Sequence, residues 1–219
     1  EAEAAFRTAL RLGPDISGLH NNIGVTYYKR GLTEDAISEY SVAIKIRPDY
    51  STAHKNLGAA YERLGRIDEA IKEYDSALSL EPDYGKEGQY AEIYYSRGNA
   101  YAKKGLFKEA MEDYEYTLKV IPGHVQARNN LALSNLELER LDTAEDEFKK
   151  VIAFYPDYVD AHYNIALVYV KKGMLKEALA HFEKAAALDP AQAKARAAIQ
   201  EIKEFFARQA EKPPGAGMR

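Results

Sequence analysis

The chain has 219 residues, 46% of them hydrophobic and 29% charged, with 14 Gly, 8 Pro and neither Cys nor Trp. That composition supports a buried core and excludes a disordered chain, and the lack of cysteine removes disulfides, zinc–thiolate sites and thiol nucleophiles together. Thirty basic against 34 acidic residues leave a net charge of −4, which gives no general field for a nucleic acid, and no apolar run is long enough to insert directly into a membrane.

Six prolines set the organisation. Pro14, Pro48, Pro82, Pro122, Pro156 and Pro190 are separated by 34, 34, 40, 34 and 34 residues. With proline at position thirty-two, complete units run 17–50, 51–84, 91–124, 125–158 and 159–192, and residues 1–16 hold the second helix of an earlier, truncated unit, carrying Ala2, Phe6 and Ala9. Position eight is small (Gly24, Gly58, Gly98, Ala132, Ala166) and position twenty is always alanine (Ala36, Ala70, Ala110, Ala144, Ala178). Position eleven is Tyr27, Tyr61, Tyr101, Asn135 and Tyr169, and position twenty-four is aromatic throughout (Tyr40, Tyr74, Tyr114, Phe148, Phe182). Small residues let two helices approach and aromatics fill the space around the approach, so each unit is predicted to be an antiparallel helical hairpin. Glycine after basic residues, as in Lys29-Arg30-Gly31, Lys104-Gly105 and Lys172-Gly173, ends the first helix.

Three segments depart from the pattern. The fourth unit has Glu139-Arg140 where the others turn on glycine, which predicts a tighter or less regular turn and the loosest packing between helices. Residues 85–90 are an insertion with Gly85 and Gly88, read as a bent linker or an extension of the next helix, and as a candidate hinge. After the last unit, residues 193–210 place Ile199, Ile202, Phe205 and Phe206 on one stripe of a capping helix, and 211–219, with Pro213-Pro214-Gly215, is expected to be disordered.

The recurring columns resemble the tetratricopeptide repeat (TPR) family over residues 17–192 and the partial unit before them. The resemblance implies an all-α fold, a right-handed solenoid of antiparallel hairpins in which the first helices line a concave groove. It also implies that function lies in the surface positions that vary. No glycine-rich phosphate loop, nucleophile elbow or metalloprotease motif is present, so an enzyme is not expected, nor a cofactor. His20, His54 and His162 share position four, but equivalent positions in neighbouring hairpins are roughly 10 Å apart. They are read as rings filling a bulky position, and no metal site is expected. The acidic pairs Glu34-Asp35, Asp68-Glu69 and Glu112-Asp113 are assigned to the starts of second helices, where carboxylates complement the helix dipole.

In the family, positions two, five, six, nine, twelve and thirteen face the groove. Position six is Asn22, Asn56, Ser96, Asn130 and Asn164, a row of carboxamides suited to an extended peptide backbone or, equally, to bridging helices. Position thirteen is Lys29, Arg63, Lys103, Glu137 and Lys171, cations for an acidic ligand or for the dipole at each helix end, with Glu62, Glu92 and Asp160 nearby. Asn99 adds a carboxamide at position nine, and Tyr95, Leu133, Leu136, Tyr163, Leu167 and Val170 make the face more apolar. The chaperone-tail clamp of some TPR domains is not reproduced: Lys55 stands at position five, but position nine is Ala59, and the third repeats of the clamp offer Gln126/Asn130 or Asp160/Asn164.

The expectation is a non-catalytic scaffold that binds a peptide segment of a partner protein. The alternative is a structural protein that self-assembles into a homo-oligomer through its N-terminal end or convex face, as in bacterial pilus, secretion or magnetosome assembly. A cytoplasmic location is expected, with a periplasmic or membrane-associated one open to a chain that continues ahead of Glu1.

Overall fold

A computed structural model describes residues 15–80 and 87–210. The partial unit before Pro14, residues 81–86 of the second unit and its insertion, and the tail from 211 lie outside the described residues. Among the described residues the chain is helical, with eleven helices and no strand. They are α1 Ile16–Lys29, α2 Thr33–Ile46, α3 Ser51–Arg63, α4 Ile67–Ser79, α5 Glu87–Lys103 and α6 Phe107–Val120, then α7 Val125–Glu137, α8 Leu141–Phe154, α9 Val159–Lys171, α10 Leu175–Leu188 and α11 Ala193–Ala210. They form two compact units, Glu1–His124 and Val125–Arg219. In the first, α1–α2, α3–α4 and α5–α6 are hairpins stacked in chain order; in the second, α7–α8 and α9–α10 are hairpins and α11 covers α10.

The hairpins close around position twenty-four. Tyr40, Tyr74, Tyr114, Phe148 and Phe182 are the largest fully buried side chains, and the position-twenty alanines beside them are sealed from solvent. In the first unit each ring lies so close to position eight that a Cβ on Gly24, Gly58 or Gly98 would come within 2.6, 2.8 and 2.8 Å of it. Two of the three tyrosine hydroxyls are held as well: Tyr74 donates to Glu62 Oε2 at 2.9 Å and Tyr114 to Asn99 Oδ1 at 2.9 Å. The second unit uses Ala132 with Phe148 and Ala166 with Phe182, in one continuous core that runs to Ala195 and Ile202 of α11.

Each first helix ends in a left-handed turn, with φ of 79° at Gly31, 74° at Gly65, 78° at Gly105 and 75° at Gly173. The fourth unit corrects the expectation of a tighter or less regular turn. Glu139 adopts the same region at φ 57°, and Arg140 N–H donates to the Asn135 carbonyl as Leu32 N–H does to that of Tyr27. Its core positions are sealed, with Ala132, Ala144 and Phe148 at 0% exposure, while α7 and α8 make the sparsest contact of the five helix pairs, as expected. The irregularity is therefore held as backbone strain in one residue, not as a looser turn.

A second correction concerns the acidic pairs. Glu34, Asp35, Asp68 and Glu69 do lie in the first turns of α2 and α4, whose N-cap residues Leu32 and Arg66 make no side-chain cap bond. Glu112 and Asp113 lie in the middle of α6, and Asp113 is buried there and paired with Arg97 through two bonds of 2.9 and 2.7 Å. Arg97 also donates to Asp75 at 2.7 Å, tying α5 to α4. Burial raises the Asp113 carboxyl against the pull of Arg97.

Candidate peptide-binding surface

Helical periodicity puts positions two, five, six, nine, twelve and thirteen of a first helix on one stripe. In the first unit that stripe is largely occupied by bonds within the protein. Asn22 is exposed and its carboxamide has no partner among the described residues, whereas Asn56 Nδ2 donates to Asn21 Oδ1 at 2.9 Å, bridging α3 to α1. Ser96 donates back to the Glu92 carbonyl at 2.9 Å, and the oxygen of Asn99 accepts from Tyr114. Tyr95 is half-buried with its ring 4.5 Å from His124 and 6.1 Å from Tyr114.

In the second unit, Asn164 is half-buried on α9 and has no side-chain partner among the described residues. Around it on the same stripe are Tyr163, packed on Phe182 at 5.4 Å, Leu167, half-buried against the core, and Val170, 41% exposed. On α7, Leu133 is half-buried against the same core, and Asn130 Oδ1 accepts from Asn129 Nδ2 at 3.4 Å. Leu136 is a correction: at 2% exposure it belongs to the core and not to the surface.

The position-thirteen cations do more than compensate helix ends. Arg63 stacks on Tyr28 and donates to the Tyr28 carbonyl at 2.6 Å, Lys103 donates to Glu62 at 2.6 Å, and Lys171 donates to Glu139. Position fourteen repeats the arrangement: Lys104 reaches Asp68 at 2.6 Å, and Lys172 reaches Asp142 and Glu145. In every case the cation ties its hairpin to the one before it. Lys29, in the first described hairpin, is exposed and makes no such bond among the described residues. Hydrogen bonds from Lys149 and Lys172 hold the Glu145 carboxyl down to about 2.

Sequence reasoning treated position four alone and missed its partner. Positions four and twenty-three meet across four of the five hairpins: His20 with Glu39 at 2.6 Å, His54 with Glu73 at 2.7 Å, Arg128 with Glu147 at 3.2 Å and His162 with His181 at 3.0 Å. The nineteen-residue separation, repeated four times, was a signal available in the sequence. His54 also bonds the Pro48 carbonyl through Nε2 at 3.0 Å, so its imidazolium satisfies both acceptors and Glu73 pushes its pKa up. His162 bonds the Pro156 carbonyl through Nε2 at 2.8 Å and meets His181 through Nδ1; burial and the neighbouring ring push His181 down. No group of three or more metal-ligating side chains occurs among the described residues.

Models of the tetratricopeptide repeat match residues 51–84, 91–124 and 159–192, and a TPR repeat model matches 26–65 and 135–173. The chain belongs to the tetratricopeptide repeat family. Solved TPR structures have the same fold. YrrB, described as a TPR protein with an unusual peptide-binding site, is 21% identical with a TM-score of 0.74, covering 90% of this chain and 98% of its own. MamA from Desulfovibrio magneticus RS-1 is 23% identical with a TM-score of 0.73, covering 82% and 98%. The pilF protein of Pseudomonas aeruginosa is 18% identical with a TM-score of 0.72, covering 89% and 86%. Among curated protein sequences none matches. The TPR hairpin is generally a non-catalytic, protein-interaction fold, and no described helix of this TPR protein is long and apolar enough to cross a membrane.

Proposed function

We propose that this TPR protein is a non-catalytic scaffold that binds a peptide segment of a partner protein along the first-helix stripe of its hairpins. The observation that carries the reading is the face of α9, where the unpartnered carboxamide of Asn164 stands beside Tyr163, Leu167 and the exposed Val170. A half-buried carboxamide with free donor and acceptor, bordered by apolar side chains, suits a peptide backbone with an apolar side chain beside it. Asn22, exposed in the first unit, offers a second carboxamide with no partner among the described residues. The cations at position thirteen contribute mainly by holding the stack, with Lys29 left for an acidic side chain of the ligand.

The test is affinity capture from a lysate of the organism that encodes the chain, comparing wild type with the Asn22/Asn56/Asn130/Asn164→Ala variant after circular dichroism shows equal helicity. Partners lost from the variant support the reading; an unchanged partner set overturns it. Self-assembly is the second reading, and one observation favours it: Phe154, at the end of α8, is 76% exposed, next to Tyr155 at 42%. A sedimentation mass that rises with concentration in wild type and not in Phe154→Ser would decide for it.

A further inference from the structure

The first unit contains a cavity of about 460 Å3 that the asparagine row does not use. That volume lies within the range of ligand-binding clefts, about 300–1,000 Å3. One wall is the α2–α3 loop with Arg47, Asp49 and Tyr50, another is α3 with Lys55, and the third is α5 with Tyr90 and Ile93. The third wall exists because of the insertion. Helix α5 begins at Glu87, a turn ahead of Ala91, which is position one of its repeat, and Tyr90 donates to the Leu80 carbonyl at 2.9 Å to fix that extra turn over the end of α4.

Two cations at this cavity make no ion pair among the described residues. The Arg47 guanidinium stacks on the Tyr50 ring at 3.6 Å, which fixes its plane, and its Nε is buried with no hydrogen-bond partner. Lys55 is half-buried and makes no ion pair or hydrogen bond among the described residues. Among the described residues no acid hydrogen-bonds Arg47: Asp49 is exposed, and Asp15, whose carboxyl Arg47 helps hold down, accepts from Ser17 Oγ–H and Gly18 N–H at 2.8 and 3.0 Å. A desolvated N–H without an acceptor costs free energy that an oxyanion recovers. Opposite the cations, Tyr90 and Ile93 give an apolar wall.

We propose that this cavity binds an acidic side chain of a partner polypeptide together with its apolar neighbour, the carboxylate on Arg47 and Lys55 and the neighbour against Tyr90 and Ile93. A glutamate side chain brings its carboxylate to these two cations and leaves its neighbour free to pack on the apolar wall. The inference needs none of the asparagines of the first-helix stripe and stands or falls apart from them. It is tested by titrating the isotope-labelled full chain with acetyl-Glu-Leu-amide and following backbone amide resonances. Shifts confined to residues 47–55 and 89–93, with a midpoint weakened about tenfold in Arg47→Gln, are the expected result. Should Arg47→Gln disturb the spectrum as a whole, Lys55→Gln provides the same comparison. Equal binding of acetyl-Gln-Leu-amide overturns the proposal, as does the absence of shifts. Preference for acetyl-Gly-Leu with a free carboxylate, or for inorganic phosphate, overturns the assignment to an acidic side chain.

Discussion

Glu139 shows how one residue can carry a departure from a repeating pattern. Four hairpins turn on glycine, and the one remaining, at 125–158, forces a glutamate to φ 57°, a conformation that costs an L-residue about 1–2 kcal/mol. Its side chain receives Lys171, but both groups are exposed, so the pair returns little. Glu139→Gly is therefore expected to stabilise the protein by about 0.5–1 kcal/mol after the entropy glycine adds to the unfolded chain, read as a higher midpoint in thermal or urea unfolding. The missing glycine was visible in the sequence; that the turn would keep its geometry was not, because the hydrogen bonds closing it are made by backbone that any residue supplies. The same limit applies to Asn56 and Asn99. Their positions were legible, but whether a carboxamide is free depends on Asn21 and Tyr114, which are remote in the chain or unremarkable as types.

At the scale of the helix pair, position eight and position twenty-four behave as one choice. Glycine stands with tyrosine in the three hairpins of the first unit and alanine with phenylalanine in the two of the second. The ring contacts are the same atoms in both amino acids, so the difference lies in the hydroxyl: Asn99 and Glu62 anchor Tyr114 and Tyr74, and an anchored ring cannot slide away from an added methyl. Gly98→Ala is expected to destabilise by about 1–3 kcal/mol, an overpacking cost, and by less in a Tyr114→Phe background, where the ring is free to shift. A double-mutant cycle in urea measures the difference. The repeat, hairpin boundaries and core columns were all readable because they rest on spacing and size. The latch between positions four and twenty-three escaped because it joins unlike residue types, His with Glu, Arg with Glu, His with His, which share only a separation.

For the molecule as a whole, the two units should respond to pH in opposite directions. His54, in the first, has a raised pKa, so its contribution is complete below the unfolded value of about 6.5 and is lost as pH rises through the folded value. His181, in the second, has a lowered pKa, so its contribution is present above about 6.5 and is lost as pH falls through the folded value. Lowering the pH from about 8 to 5 is expected to increase amide protection in α3 and α4 and to decrease it in α9 and α10, once intrinsic exchange rates are removed. Uniform loss across both units would contradict the assignment; His54→Gln and His181→Gln should each abolish the response of its own unit. A division of the chain after His124 was not legible, since the proline spacing across it is an ordinary 34 residues and the irregular spacing falls earlier.

The cations that reach back from one hairpin to its predecessor give the stack a direction of growth. The block 51–84 carries both halves of the fastening, Arg63 for the block before it and Glu62 and Asp68 for the block after it, whereas 125–158, with Glu137-Leu138 at the end of its first helix, carries only the acceptors. A duplicate of 51–84 therefore arrives with its own attachment and leaves a matching one exposed. Such a gene can lengthen by tandem copying without any new interface having to evolve, and the copies can then diverge at the surface positions that the fastening leaves unused.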